Sequence, residues 1–140
     1  MGGHDDFGKR VLREAAGDAY EMYGSPVEVD YGAGQPARID GAVGGNIAVE
    51  VESRTSKQIR GAVLDLICHR FPKKLLILLP VHMSNPTIAA EQCRVALAKF
   101  VAPGDFEVVV LAGHGDDPRL EEDALSTRAA LMKLGFNAAA

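Results

Sequence analysis

The sequence predicts an α/β fold with a mixed sheet and helices on both faces, and three observations lead there. Apolar residues recur at spacings of three and four in separate segments. Short alternating stretches, cut by glycine-rich turns, fill the first half. Two nearly continuous apolar runs lie in the second half, each preceded and followed by helical pattern. The predicted order is α-β-β-β-α-β-α-β-α. An antiparallel three-strand meander followed by helix-linked buried strands implies a mixed sheet.

Phe7, Val11, Leu12, Ala15, Ala16, Ala19, Met22 and Tyr23 form one helical stripe over 5–23, which Gly24, Ser25 and Pro26 stop. Residues 27–31 alternate apolar and polar as a half-buried strand does, and 32–36 is turn chemistry. A second strand covers 37–43, Gly44, Gly45 and Asn46 make a tight turn, and 47–53 is a third strand with strict alternation. Thr55 or Ser56 can cap the next helix, which runs to about His69 before Phe71 and Pro72 close it. Residues 74–80, KLLILLP, read as a central strand covered on both faces. Asn85 and Pro86 start a helix that stops at Pro103 and Gly104. A second buried strand at 106–112 and a last helix, opened by Asp117 and Pro118, complete the chain.

A length of 140 residues suits a single domain. With aromatics at 6% and no Trp, the core should be aliphatic. Fifteen Lys plus Arg against nineteen Asp plus Glu leave a net charge of -4, so no global basic field marks a polyanion partner. The charge is unevenly placed: Lys57, Arg60, His69, Arg70, Lys73 and Lys74 crowd together, whereas 116–123 is acidic. Cys68 and Cys93 stand in no zinc-ligand spacing and read as reduced thiols. The N-terminus lacks a secretory pattern, and the longest apolar run is too short to span a bilayer, so a cytoplasmic location without membrane attachment is expected.

Candidate chemistry centres on carboxylates. Residues two apart on a strand share a face, so Glu50 and Glu52 point one way while Val49 and Val51 point the other. Asp40 lies across a short turn, where its carboxylate can converge with theirs. Such a cluster is costly unless a cation sits among the oxygens, and Mg²⁺ or Mn²⁺ favours hard oxygen ligands. A cation so held can activate water and stabilise phosphoryl charge, which makes phosphodiester hydrolysis the natural chemistry.

Over roughly residues 7–80 this arrangement resembles the PD-(D/E)XK nuclease superfamily, the restriction-endonuclease-like fold with an αβββαβ core; the remaining residues form a C-terminal α-β-α extension. Ile39 and Asp40 fall where that family has Pro-Asp, Glu50 where it has Asp or Glu, and Glu52 where it usually has Lys. An alternative alignment takes Glu52, Ser53 and Arg54 as the triplet, with Arg54 at the lysine position; the minimal hairpin between Asp40 and Glu50 favours the first. The resemblance implies a divalent-metal-dependent DNA endonuclease, with Asp40, Glu50 and Glu52 as metal ligands, Glu52 also as ligand or base, and Glu14 of the first helix as a peripheral acid. Arg38, Arg54, Lys57, Gln58 and Arg60 are the expected contacts to backbone phosphates. Double-stranded DNA is the expected partner, and a homodimer would supply two sites for two strands. The alternative is a non-catalytic relative that keeps the fold for nucleic-acid binding or protein interaction, for which the missing lysine argues. The loop at 113–117 reads as structural, its acids serving as helix caps.

Overall fold

A computed structural model describes residues 3–54, 57–113 and 119–137. The fold is α/β, with four helices, a five-stranded mixed sheet and a small separate hairpin among these residues. In chain order the elements are α1 (Gly3–Ala16), β1 (Tyr20–Glu21), β2 (Glu28–Val29), β3 (Ala37–Arg38), β4 (Gly41–Val43), β5 (Ile47–Glu52), α2 (Lys57–Cys68), β6 (Lys73–Leu78), α3 (Pro86–Ala98), β7 (Phe106–Val110) and α4 (Leu120–Lys133). The main sheet runs β1-β4-β5-β6-β7, antiparallel through β5 and parallel from β5 to β7. The pair β2-β3 stands apart as an antiparallel hairpin.

The first helix is shorter than its periodicity suggests. It ends at Ala16, and Gly17 takes a left-handed φ of 59° that an L side chain would resist. A single 3-10 turn follows, and Tyr20 and Glu21 then pair with Val43 and Ala42. Ala19, Met22 and Tyr23 match a helical stripe by coincidence of spacing, but sheet pairing offers their backbone the better partners. The predicted strand at 27–31 reduces to β2 and joins the hairpin rather than the main sheet. The predicted strand at 37–43 breaks at Ile39 and Asp40, so its first part pairs with β2 and its second with β5.

The sheet's two faces carry two apolar clusters. Val49, Val51, Leu75 and Ile77 pack under α1 and α4, with Phe7, Val11, Leu12 and Leu131. Ala48, Leu76, Leu78 and Val108 pack under α2 and α3, with Val63, Leu66, Cys93 and Leu97. The central strand β6 is buried as its sequence predicts; each leucine or isoleucine there stabilises the fold by about 1.5–3 kcal/mol. Strand β7 is less so, because it forms the sheet edge and only Val108 is fully covered. A Cβ at Gly8 would lie 2.4 Å from Val51 Cγ1, so glycine lets α1 ride directly on β5. Asn85 caps α3 as expected, accepting from the Ile88 amide at 3.1 Å. Thr55, Ser56, Asp116, Asp117 and Pro118, with most of the 113–117 loop, lie outside the described residues. No helix among the described residues is long and apolar enough to cross a membrane.

Candidate functional site: an interlocked carboxylate pair

Tight turn geometry at Gly44 and Gly45, with φ of 64° and 75°, folds β4 back onto β5 and pairs Gly41 with Val49. One residue further out, Asp40 is level with Glu50. The two interlock through the backbone: the Asp40 amide donates to Glu50 Oε1 at 2.9 Å, and Asp40 Oδ2 accepts from the Val51 amide at 2.7 Å. Tyr20 secures the same stretch from below, its hydroxyl donating to the Asp40 carbonyl at 3.4 Å. Burial and the Asp40 charge push the Tyr20 hydroxyl up to about 12.

Alternation along β5 holds, but the face that carries the acids is not wet. Glu50 is 7% exposed and Glu52 5%, because α2 and the β2-β3 hairpin cover that side of the strand. Burial, the adjacent Asp40 charge and a hydrogen bond to the Asp40 carboxyl hold Glu50 at about 10, so it keeps its proton at neutral pH. Asp65 on α2 adds to that field. Tyr31, from the hairpin loop, donates to Asp65 Oδ1, and burial together with that bond raises the Tyr31 hydroxyl. Asp40 and Glu50 thus interlock, and Asp65 lies near enough to bear on the Glu50 charge.

Glu52 shares the face yet is differently engaged. Its Oε2 accepts from the Arg54 amide at 2.8 Å and from Arg54 Nε at 3.0 Å, and its Oε1 from Arg54 Nη2 at 3.4 Å. Arg54, itself largely exposed, therefore neutralises the buried acid. No group of three Asp, Glu, His or Cys side chains among the described residues is drawn together tightly enough to enclose a cation unaided. The chemistry of the donor set still suits a divalent ion: the buried Glu50 carboxyl and the half-buried Asp40 carboxylate lie together on adjacent strands, where a cation could replace the proton that now relieves their repulsion.

Of the other sequence-predicted residues, Glu14 is not brought to the site. It is exposed on α1, whose apolar side packs on the opposite sheet face; its helix phase points the carboxylate away, and Arg128 of α4 donates to its carbonyl at 3.0 Å. Arg38 is exposed on β3, with Nη2 reaching the Met22 carbonyl at 3.5 Å. Lys57, Gln58 and Arg60 are exposed on the first turns of α2, which leaves β5 just past Glu52. Arg60 also borders an apolar groove of about 640 Å³ between α2 and α3, lined by Val63, Ile67, Met83 and Ile88. Lys74 belongs to the fold rather than the site: its Nζ donates to the His69 carbonyl at 2.6 Å, and burial brings it down to about 8.

Sequence reasoning missed Asp65 and Tyr31. The signal for Asp65 was an acid set between Leu64 and Leu66 in an apolar helix; nothing marked Tyr31, whose loop is placed by the hairpin alone. Comparison with known proteins gives no match: no family model, curated protein or solved structure matches the chain. What the carboxylate pair does therefore rests on its own geometry.

Proposed function

We propose that the chain is a divalent-metal-dependent nuclease that hydrolyses DNA phosphodiester bonds, built as a variant of the PD-(D/E)XK arrangement. The observation that carries this reading is the interlocked pair Asp40 and Glu50, on adjacent antiparallel strands beneath a helix. A strand order in which two antiparallel pairings lead to a parallel β5-β6 pair agrees with an αβββαβ core.

Asp40 and Glu50 would hold Mg²⁺ or Mn²⁺, the Glu50 proton leaving as the ion enters. A cation held there would supply charge for the phosphoryl oxygens and acidify a water. Glu52, kept close by Arg54, serves as the further ligand or takes the water's proton. The water oxygen bonds to phosphorus, the P–O ester bond breaks, and the leaving oxygen is protonated from solvent. Arg54, Lys57, Gln58 and Arg60 line the chain just past Glu52, where a backbone phosphate approaches. Two such chains in a homodimer would cut both strands of a duplex.

A second reading is favoured by the Arg54 grip on both Glu52 oxygens, which fills the lysine position's neighbourhood with a closed ion pair. In it the chain is a non-catalytic relative that binds nucleic acid or a protein. Plasmid, linear and single-stranded DNA incubated with Mg²⁺ or Mn²⁺, beside Asp40→Asn, separates the two. Cleavage that Asp40→Asn abolishes supports the nuclease; binding without cleavage in either metal sinks it in favour of the second reading.

A further inference from the structure

Strand β1 runs antiparallel to β4 with Tyr20 opposite Val43 and Glu21 opposite Ala42, so the chain beyond Glu21 heads toward the level of Asp40. There Met22 gathers two guanidinium groups from separate elements: Arg13 Nη2 on its sulfur at 3.2 Å, and Arg38 Nη2 on its carbonyl at 3.5 Å. The Arg13 guanidinium also lies 5.1 Å from the Tyr20 ring centroid. Tyr23 follows directly, 77% exposed. Among the described residues neither Arg13 nor Arg38 pairs with a carboxylate.

A lone exposed tyrosine is ordinary on a protein surface. The conjunction here is not: Arg13 is held by a thioether sulfur and a ring face and Arg38 by one long bond to a carbonyl, so both keep donors for phosphate oxygens, and an exposed tyrosine follows Met22 where the edge strand β1 ends. We infer that this edge is a nucleic-acid strand track, in which Arg13 and Arg38 take consecutive phosphates and one unstacked base lies on the Tyr23 ring. The inference rests on the nuclease reading for its purpose, since it leads a strand to Asp40, but its binding adds Arg13 and Tyr23, which that reading does not use, to Arg38. It also narrows the substrate class. Within an intact duplex both faces of each base are covered by neighbours, so a stacking tyrosine selects an unpaired nucleotide, as in single strands, overhangs and flaps.

Fluorescence polarisation of labelled single-stranded, blunt-duplex and overhang-bearing DNA, in EDTA and in Mn²⁺, tests it with Tyr23→Ala, Tyr23→Phe and the double variant R13Q/R38Q. The wild type should prefer the overhang to the blunt duplex. Tyr23→Ala should weaken overhang binding about tenfold, Tyr23→Phe should retain it, and R13Q/R38Q should reduce the salt dependence by about two phosphate contacts. Equal affinity for blunt and overhang DNA, unchanged binding by Tyr23→Ala, or no binding by the wild type overturns the track. Tyr23-dependent binding without any cleavage keeps the track and rejects the nuclease; Asp40-dependent cleavage indifferent to Tyr23→Ala in both affinity and KM does the reverse.

Discussion

Asp40 and Glu50 hold each other by exchange: the amide of Asp40 donates to the Glu50 carboxyl, and the carboxylate of Asp40 accepts from the amide that follows Glu50. Neither side chain can move without releasing a backbone group of the neighbouring strand. A like-charged pair fixed this firmly in a buried place is stable only with a shared proton or a bound cation.

That dependence has a defined sign in pH. Glu50 titrates near 10 in the folded chain against 4.5 as an ordinary carboxyl. Between those values the unfolded chain releases the proton that the folded one retains, so metal-free stability falls as pH rises from about 4.5 toward 10. Glu50→Gln, which keeps an acceptor for the Asp40 amide, should therefore be more stable than wild type in EDTA at pH 7, by on the order of 3 kcal/mol. Thermal melts from pH 5 to 9 check this; a variant that melts below wild type at pH 7 would show that Glu50 ionises at little cost.

Divalent cations should close most of that gap. Mn²⁺ at a hundredfold excess over its dissociation constant stabilises the native state by about 2.7 kcal/mol, and this gain should appear in the wild type and vanish in Asp40→Asn and Glu50→Gln. Melting curves with and without EDTA measure it. Equal shifts in all three proteins would place any bound cation elsewhere.

Arg54 sets how available Glu52 is. Because Arg54 neutralises a buried acid, Arg54→Ala should cost on the order of 1–3 kcal/mol in stability, yet by removing the guanidinium from Glu52, whose Oε2 keeps the residue-54 amide, it should tighten Mn²⁺ binding several-fold. Isothermal titration calorimetry reads the difference. A weaker affinity in Arg54→Ala would mean that the ion pair supports the site instead of competing with it.

Gly41 joins the site to the sheet. A Cβ there would sit 2.3 Å from Tyr20 Cε1 and 3.3 Å from the Glu21 carbonyl oxygen. Gly41→Ala should push β1 away from β4 and lower stability by about 1–3 kcal/mol, as overpacking does, with loss of the Mn²⁺ effect because Asp40 is the next residue. Urea midpoints at fixed slope test the first part; a midpoint equal to wild type contradicts the close packing.

How legible this was in the sequence depends on range. The run from Lys74 to Leu79 declared a buried central strand because no short amphipathic element tolerates so many consecutive apolar residues. Asn85 before Pro86 marked a helix start through local capping chemistry. The pairing of Asp40 with Glu50 could be anticipated because two glycines make the intervening turn tight, which limits the register to one that levels them. At Ala19 to Tyr23, by contrast, helical spacing was misleading: Gly17 releases the backbone, and hydrogen bonding to β4 outweighs a weak local preference.

Pleat and helical period are local properties, so the α/β class, the order of the central elements and the common face of Glu50 and Glu52 were readable from the amino acids alone. Long-range packing settled that this face is buried, that Arg54 binds Glu52, that Glu14 lies across the sheet, and that Asp65, held by Tyr31, comes near Glu50. Those facts depend on which helix covers which face and where a hairpin docks, and residues far apart in the chain are brought together by packing that leaves no periodic trace.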